Sequence, residues 1–357
     1  MKSKSFLFRI LLALALGLCV ALALSACGDR DTTDTDTDEN APITDDESSV
    51  LLLDEIGGED LSYVLSNDGK GYSVIGYWSE LAAKKVVIPE EINGLPVVEI
   101  AESAFVSDIY LEEVYIPDSV ISIGEHAFDG CVNLKSIRLS SNISSIGAWA
   151  LDSCDSLETN RFDNALYLGN ETNPYLILLG AIDTEITQCT VHNDTRIICD
   201  YAFVDCTELE TIDLPNTDNL FIGDFVFEYC YDLEFNEYEN ALYLGNSENP
   251  YLLLVEAKNK RIESCTIHED TVSISTWAFE GCASIISLVI PENVRFIGAY
   301  AFSDCTSLSD VSIAGDSAWK VCPSGAVLNA VEIETADSAE NADRLVDIYF
   351  YCNFYRE

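Results

Sequence analysis

The residues able to do chemistry come in sets, and most of the sets repeat. There are three histidines, thirteen cysteines and 62 Asp and Glu residues. His192 follows Cys189-Thr190-Val191 and His268 follows Cys265-Thr266-Ile267, so these two recur in one setting. A catalytic acid-base histidine needs a unique environment, whereas a recurring one fits a structural role. His126 precedes Ala127-Phe128, where other units carry an aromatic residue. The chain has no His-Glu-x-x-His, no Gly-x-Ser-x-Gly elbow and no phosphate-cradling glycine loop. Carboxylates are abundant enough for a glycosidase pair, yet nothing singles one pair out. No metal, no cofactor and no catalytic residue is therefore expected.

A further set is aromatic. Ser103, His126, Trp149, Tyr201, Phe225, Trp277 and Tyr300 occupy equivalent places, each just before a small residue and then Phe or Leu. Stacked units would align them as a stripe along one edge. Such a stripe either packs between turns or presents Trp149, Tyr201, Phe225, Trp277 and Tyr300 to a partner, since Tyr and Trp dominate binding energies.

The elements that must position these residues are set by a fixed period. Phe105, Phe128 and Leu151 stand 23 residues apart, Phe203 and Phe227 stand 24 apart, and Phe279 and Phe302 stand 23 apart. Cysteine follows three positions later at Cys131, Cys154, Cys206, Cys230, Cys282 and Cys305. A period in the twenties marks a stacked repeat, in which one unit cannot bury its apolar face alone. Each unit carries a short alternating run ending in a turn, as in Val114-Tyr115-Ile116-Pro117 and Leu288-Val289-Ile290-Pro291. Period-2 alternation predicts a strand buried on one face, which proline terminates. A second short run such as Val120 to Ile123 precedes Gly124, and Ala-Phe-x-x-Cys has the spacing of one helical turn.

Twice the spacing widens to 52, from Leu151 to Phe203 and from Phe227 to Phe279. The extra segments, DNALYLGNETNPYLILL at 163–179 and ENALYLGNSENPYLLLV at 239–255, nearly coincide. Alternating runs around Gly-Asn and Asn-Pro predict inserted β-hairpins, with Leu166 to Leu168 against Tyr175 to Leu178 in the first. The six repeat cysteines should form a buried column of small thiols, at a rung spacing of about 4.8 Å that lies within disulfide reach. Cys322 and Cys352 stand outside the column and are the expected covalent pair.

The ends differ in kind. Lys2, Lys4 and Arg9 precede an apolar run from Ile10 to Leu24, which has the proportions of a signal sequence. It closes in Leu24-Ser25-Ala26-Cys27-Gly28, which resembles a bacterial lipobox and implies cleavage before Cys27 and a lipid on its sulfur. Residues 1–26 are thus expected as signal, and 27–50 as a lipidated cysteine with an acidic, Thr-rich, disordered tether. Residues 51–100 should form an N-terminal cap, with a hairpin turn at Asn67-Asp68-Gly69. Residues 101–314 are the expected solenoid, and 315–357 a closing cap. The formal net charge of -44 argues against nucleic acid, which needs Lys and Arg, and against a polybasic grip on anionic lipid.

The unit Ala-Phe-x-x-Cys-x-x-Leu-x-x-Ile-x-Leu-Pro-x-x-Val-x-x-Ile-Gly resembles the BspA-like leucine-rich repeats of bacterial surface proteins. The likeness runs from about Val86 to Ile313, departing at Leu151, Val226, Ser140, Cys199 and Ser275. The expected fold is a repeat solenoid: a β-rich right-handed coil with short parallel strands, one helical turn per rung and two inserted hairpins. The resemblance implies a non-catalytic surface module in an adhesion-like role, and with the lipobox the expectation is a lipid-anchored, extracytoplasmic protein that binds a macromolecule, protein or glycan. The competing expectation is an extracellular hydrolase acting on glycan or peptide.

Overall fold

The computed structural model describes residues 51–66, 69–77, 81–217, 220–315, 318–321, 331–333, 335–349 and 352–356. Successive rungs lay short strands side by side in two ladders. In the first ladder Leu51–Gly57, Leu81–Val87, Glu113–Tyr115 and Ser136–Arg138 pair in parallel. The register joins Val86, Val114 and Ile137, which all point inward and are buried, while Glu113 and Ser136 face water. Alternation in sequence has become alternation across the sheet. The second ladder pairs Leu95–Ile100, Ser122–Ile123 and Ser145–Ile146, also in parallel. Pairs Gln188–Thr190 with Thr211–Asp213 and Ser287–Ile290 with Asp310–Ile313 continue the first ladder's pattern further along.

The glycine ending each short strand marks a close approach between rungs. A Cβ at Gly124 would sit 2.5 Å from the Glu102 nitrogen, and at Gly147 2.4 Å from the Glu125 nitrogen. Cys199 and Ser275 break the glycine rule in the rungs that follow an insertion. There the neighbouring chain is a hairpin strand, and the amides of Cys199 and Ser275 bond to Leu178 O and Leu254 O at 2.9 Å.

The two extra segments each form a three-stranded antiparallel unit. Asn160–Phe162, Ala165–Leu168 and Ile177–Ala181 pair in order, and Asn236–Tyr238, Ala241–Leu244 and Leu253–Ala257 repeat the arrangement. The return strands then pair in parallel with Ile197–Ile198 and Ser273–Ile274, so each insertion supplies one rung of the wall. Two strands, Asn160–Phe162 and Asn236–Tyr238, had no signature in the sequence. Tyr175 precedes its strand rather than entering it, because Asn173 Oδ1 accepts the Tyr175 amide at 3.0 Å and holds the turn. The N-terminal pair Leu61–Leu65 with Tyr72–Tyr77 has the same geometry, including a register shift at the equivalent place. It is a third copy of the hairpin, obscured in sequence. Asn67 and Asp68, the expected turn, lie outside the described residues.

The single helical turn expected of each rung is realised as consecutive i→i+3 turns. Ala127, Asp129 and Cys131 donate to Gly124, His126 and Phe128 carbonyls at 3.3, 3.2 and 3.1 Å. Left-handed residues interrupt any helix, at φ 53° for His126 and 75° for Gly130. The side chains of the following turns fill the core. Phe105 stacks on Phe128 at 5.3 Å and Phe279 on Phe302 at 5.3 Å, with interplanar angles of 7° and 6°. The cysteines lock rung to rung. Cys131 Sγ donates to Phe105 O at 3.1 Å, Cys154 to Phe128 O at 3.2 Å and Cys305 to Phe279 O at 3.1 Å. Burial pushes the Cys131, Cys154 and Cys305 thiols up to about 12, and all six repeat cysteines are free.

At the far end Phe354–Arg356 pairs antiparallel with Phe296–Ile297 and Trp319–Val321. Arg356 lies over the buried Trp319 ring at 4.9 Å and donates to Val294 O at 2.6 Å, Ala314 O at 2.8 Å and Pro291 O at 2.9 Å. A short helix, Ser338–Asp343, starts at Asp337, whose side chain accepts the Ala339 and Glu340 amides. Cys322 is outside the described residues, so the expected pairing with Cys352 falls outside them too. Among the described residues no helix is long and apolar enough to cross a membrane.

Candidate functional site

The stripe of rings forms, and its geometry is specific. His126 stacks on Trp149 at 5.2 Å, Trp149 on Tyr201 at 5.3 Å and Tyr201 on Phe225 at 5.4 Å, with interplanar angles of 17°, 21° and 15°. Trp277 stacks on Tyr300 at 4.4 Å and 8°. Trp149 and Tyr201 thus stack across the first insertion, 52 residues apart, whereas among the described residues no such stack joins Phe225 to Trp277 across the second. Trp149 is 43 % exposed, and Tyr201, Phe225, Trp277 and Tyr300 are partly exposed. The rings are therefore neither a sealed core nor a free platform. Within each of the two stacks, His126 to Phe225 and Trp277 with Tyr300, ring faces cover one another, and Trp277 Nε1 is buried without a hydrogen-bond partner.

Every residue of this column has a left-handed backbone: φ is 51° at Trp149, 58° at Tyr201, 55° at Phe225, 65° at Trp277 and 58° at Tyr300. The same turn contains a second left-handed column four residues on, filled by Ser107, Gly130, Ser153, Asp205, Tyr229, Gly281 and Asp304. Those are mostly the small or polar types such a backbone prefers. Aromatic rings in the first column go against that preference. Each costs about 1 kcal/mol relative to glycine, and each stacked pair returns about the same. The apolar area each ring buries adds to that return, so packing opposes the backbone preference at this column.

Sequence reasoning missed the column immediately before the rings, namely Glu102, Glu125, Ala148, Asp200, Asp224, Thr276 and Ala299. The same repeat alignment that exposed the aromatics contains this signal. Asp200 Oδ1 accepts the Asp224 amide, and Asp224 Oδ1 accepts the Thr276 hydroxyl. Burial first, then the Asp224 charge, pushes the Asp200 carboxyl up to about 7. Burial also raises Asp224, against the Thr276 hydrogen bond, and Glu125. His126, which heads the ring stack, bonds Asp129 Oδ2 through Nδ1 at 2.9 Å.

His192 and His268 lie elsewhere, under the hairpins. His192 stacks on Tyr175 at 4.0 Å and meets Phe162 edge-on at 4.7 Å, and its Nδ1 accepts the Asp194 amide at 3.1 Å. His268 does the same with Tyr251, Tyr238 and the Asp270 amide, at 4.1, 4.7 and 3.2 Å. Two identical sets of contacts hold two turns. Cys27 lies outside the described residues. No group of three or more His, Cys, Asp or Glu that could hold a metal occurs among the described residues.

The comparisons with known proteins give one family. The BspA type leucine rich repeat region matches in six copies, over residues 98–172, 182–247 and 257–353. Similar solved structures include the Treponema pallidum leucine rich repeat protein, 25% identical, covering 71% of this chain and 90% of that one with a TM-score of 0.32. A leucine rich cell surface protein from Faecalibacterium prausnitzii A2-165 is 23% identical, covering 71% of this chain and 74% of that one, also at 0.32. No curated protein matches the chain.

Proposed function

This chain belongs to the BspA type leucine-rich repeat family, and on that premise we propose that it is a non-catalytic cell-surface binding protein whose ladder edge holds a macromolecular partner. The observation that supports this is the ring column itself. Bulky aromatics occupy a left-handed backbone position whose twin in the same turn takes mostly small or polar residues, and Trp149 among them stays 43 % exposed. Backbone preference does not account for that choice, and an exposed Trp149 within the stack is what recognition would use. In this reading Cys27 takes a lipid, residues 28–50 act as a tether, and the repeats stand clear of the membrane in an adhesion-like role.

The test is capture of the full chain on immobilised cell-wall material, mucin glycans and extracellular-matrix proteins. A companion variant carries Trp149→Ala and Trp277→Ala. Saturable capture that the variant loses while keeping its fold supports the reading. Capture that the variant retains in full places recognition elsewhere and removes the ladder as the site.

A further inference from the structure

We propose that the N-terminal end of the stack joins a second copy of this chain head to head, by antiparallel pairing of its open edge strands. The first observation is a missing strand. In both inserted units an antiparallel strand lies on the outer edge of the hairpin: Asn160–Phe162 on Ala165–Leu168, and Asn236–Tyr238 on Ala241–Leu244. The N-terminal hairpin, Leu61–Leu65 with Tyr72–Tyr77, has the same register shift. Among the described residues, however, nothing pairs with the outer edge of Leu61–Leu65. The first ladder is open at the same end, since Leu51–Gly57 pairs only with Leu81–Val87. An unpaired row of amides and carbonyls is a template for another strand, and the inserted units show that an antiparallel one fits this hairpin.

The second observation is what surrounds these edges. Leu51, Leu52, Val64 and Leu65 are about half exposed, and so are Val106 and Ile109 in the first turn of the stack. A terminal unit of a solenoid ordinarily turns a polar side to water. This one turns leucine, valine and isoleucine.

The far end of the stack is closed. Phe354–Arg356 lies antiparallel on Phe296–Ile297, and Asn341 of the short helix donates to Val311 O at 3.0 Å on the last strand of the first ladder. Head-to-tail joining, which builds an open filament, therefore meets a covered end. A two-fold axis running from one ladder to the other instead sets each open edge strand antiparallel to its own copy. Leu61–Leu65 holds no charge, so its crossing places no like charges opposite. In the other strand a crossing at Leu53 sets Glu55 against Leu51 and Asp54 against Leu52. Only the direction of the tether rests on the reading above: residues 28–50 enter at Leu51, so both tethers leave from the joint, each reaching at least about 25 Å toward one membrane.

The experiment is sedimentation equilibrium of the full chain at micromolar concentration in density-matched non-ionic detergent. Val64→Lys with Leu65→Lys charges the open edge. Ile286→Lys with Val289→Lys charges a similarly exposed apolar pair at the Ser287–Ile290 strand. Thermal melts confirm that both variants fold. The expected result is a monomer–dimer equilibrium that weakens at least about tenfold in the edge variant and less than about twofold in the other. It should tighten with added salt, because two chains of net charge -44 repel one another. A dimer that the edge variant keeps, equal losses in both variants, or a series growing beyond the dimer would overturn the proposal. So would a chain that stays monomeric throughout, even where the edge variant alone loses capture of a matrix protein, a result that assigns the edge to a foreign strand.

Discussion

Replacing Asp200 by asparagine should make the protein more stable at pH 8 and leave it nearly unchanged at pH 4. The native carboxyl is raised from 3.8 to about 7, mainly by burial and then by Asp224. The native state therefore holds its proton more tightly than the unfolded chain does. The favourable contribution is complete below the unfolded value near 4, and stability falls as pH rises to about 7, above which it levels off. A shift of about 3 units corresponds to about 4 kcal/mol as a ceiling. Asp200 keeps part of its surface in water, which reduces the expected gain to about 1–2 kcal/mol at pH 8. Asparagine preserves the Oδ1 acceptor for the Asp224 amide and removes only the charge. The assay is thermal unfolding followed by tryptophan fluorescence from pH 4 to 8, for both proteins, taking the difference at each pH to cancel the other carboxylates. A gain of that size moves the midpoint by about 2–8 °C, at 2–4 °C per kcal/mol. A difference that is flat with pH, or a variant less stable at pH 8, would refute the reasoning.

Other substitutions test the wall and the core. Phe203→Ala removes a fully buried ring stacked on Phe227 at 5.7 Å and should cost about 3–5 kcal/mol in urea unfolding; a loss below about 1 kcal/mol would mean that the Phe column is dispensable. The Cys131, Cys154 and Cys305 thiols, pushed to about 12 by burial, should react with a thiol reagent at pH 8 only after unfolding, and prompt native labelling at Cys131 contradicts the buried column. Arg356→Met strands several carbonyls of the last rung and should cost about 2–4 kcal/mol, with Arg356→Lys giving little rescue because an ammonium cannot reproduce the fork. His192→Ala and His268→Ala should each cost about 1 kcal/mol and add in the double variant, since they hold separate turns.

The sequence alone was enough to define the repeat, its rung length and the inward residues, because those depend on periods that no long-range fold has to supply. Alternation at Val114 and Ile116, the 23-residue return of Phe105 and Phe128, and the two 52-residue gaps are all local or translational facts. The hairpin strands Ala165–Leu168 and Ala241–Leu244 were legible for the same reason, whereas Asn160–Phe162 was not, since nothing apolar alternates there and only its antiparallel partner makes it a strand. The aromatic column could be written down from spacing. Whether its rings faced in or out could not, because the answer turns on the sign of φ, which is fixed by how the i→i+3 turns close against the next rung. The hydrogen-bonded run from Asp200 through Asp224 to Thr276 was likewise decided only by stacking, which brings together residues up to 76 apart and lets burial act on their carboxyls.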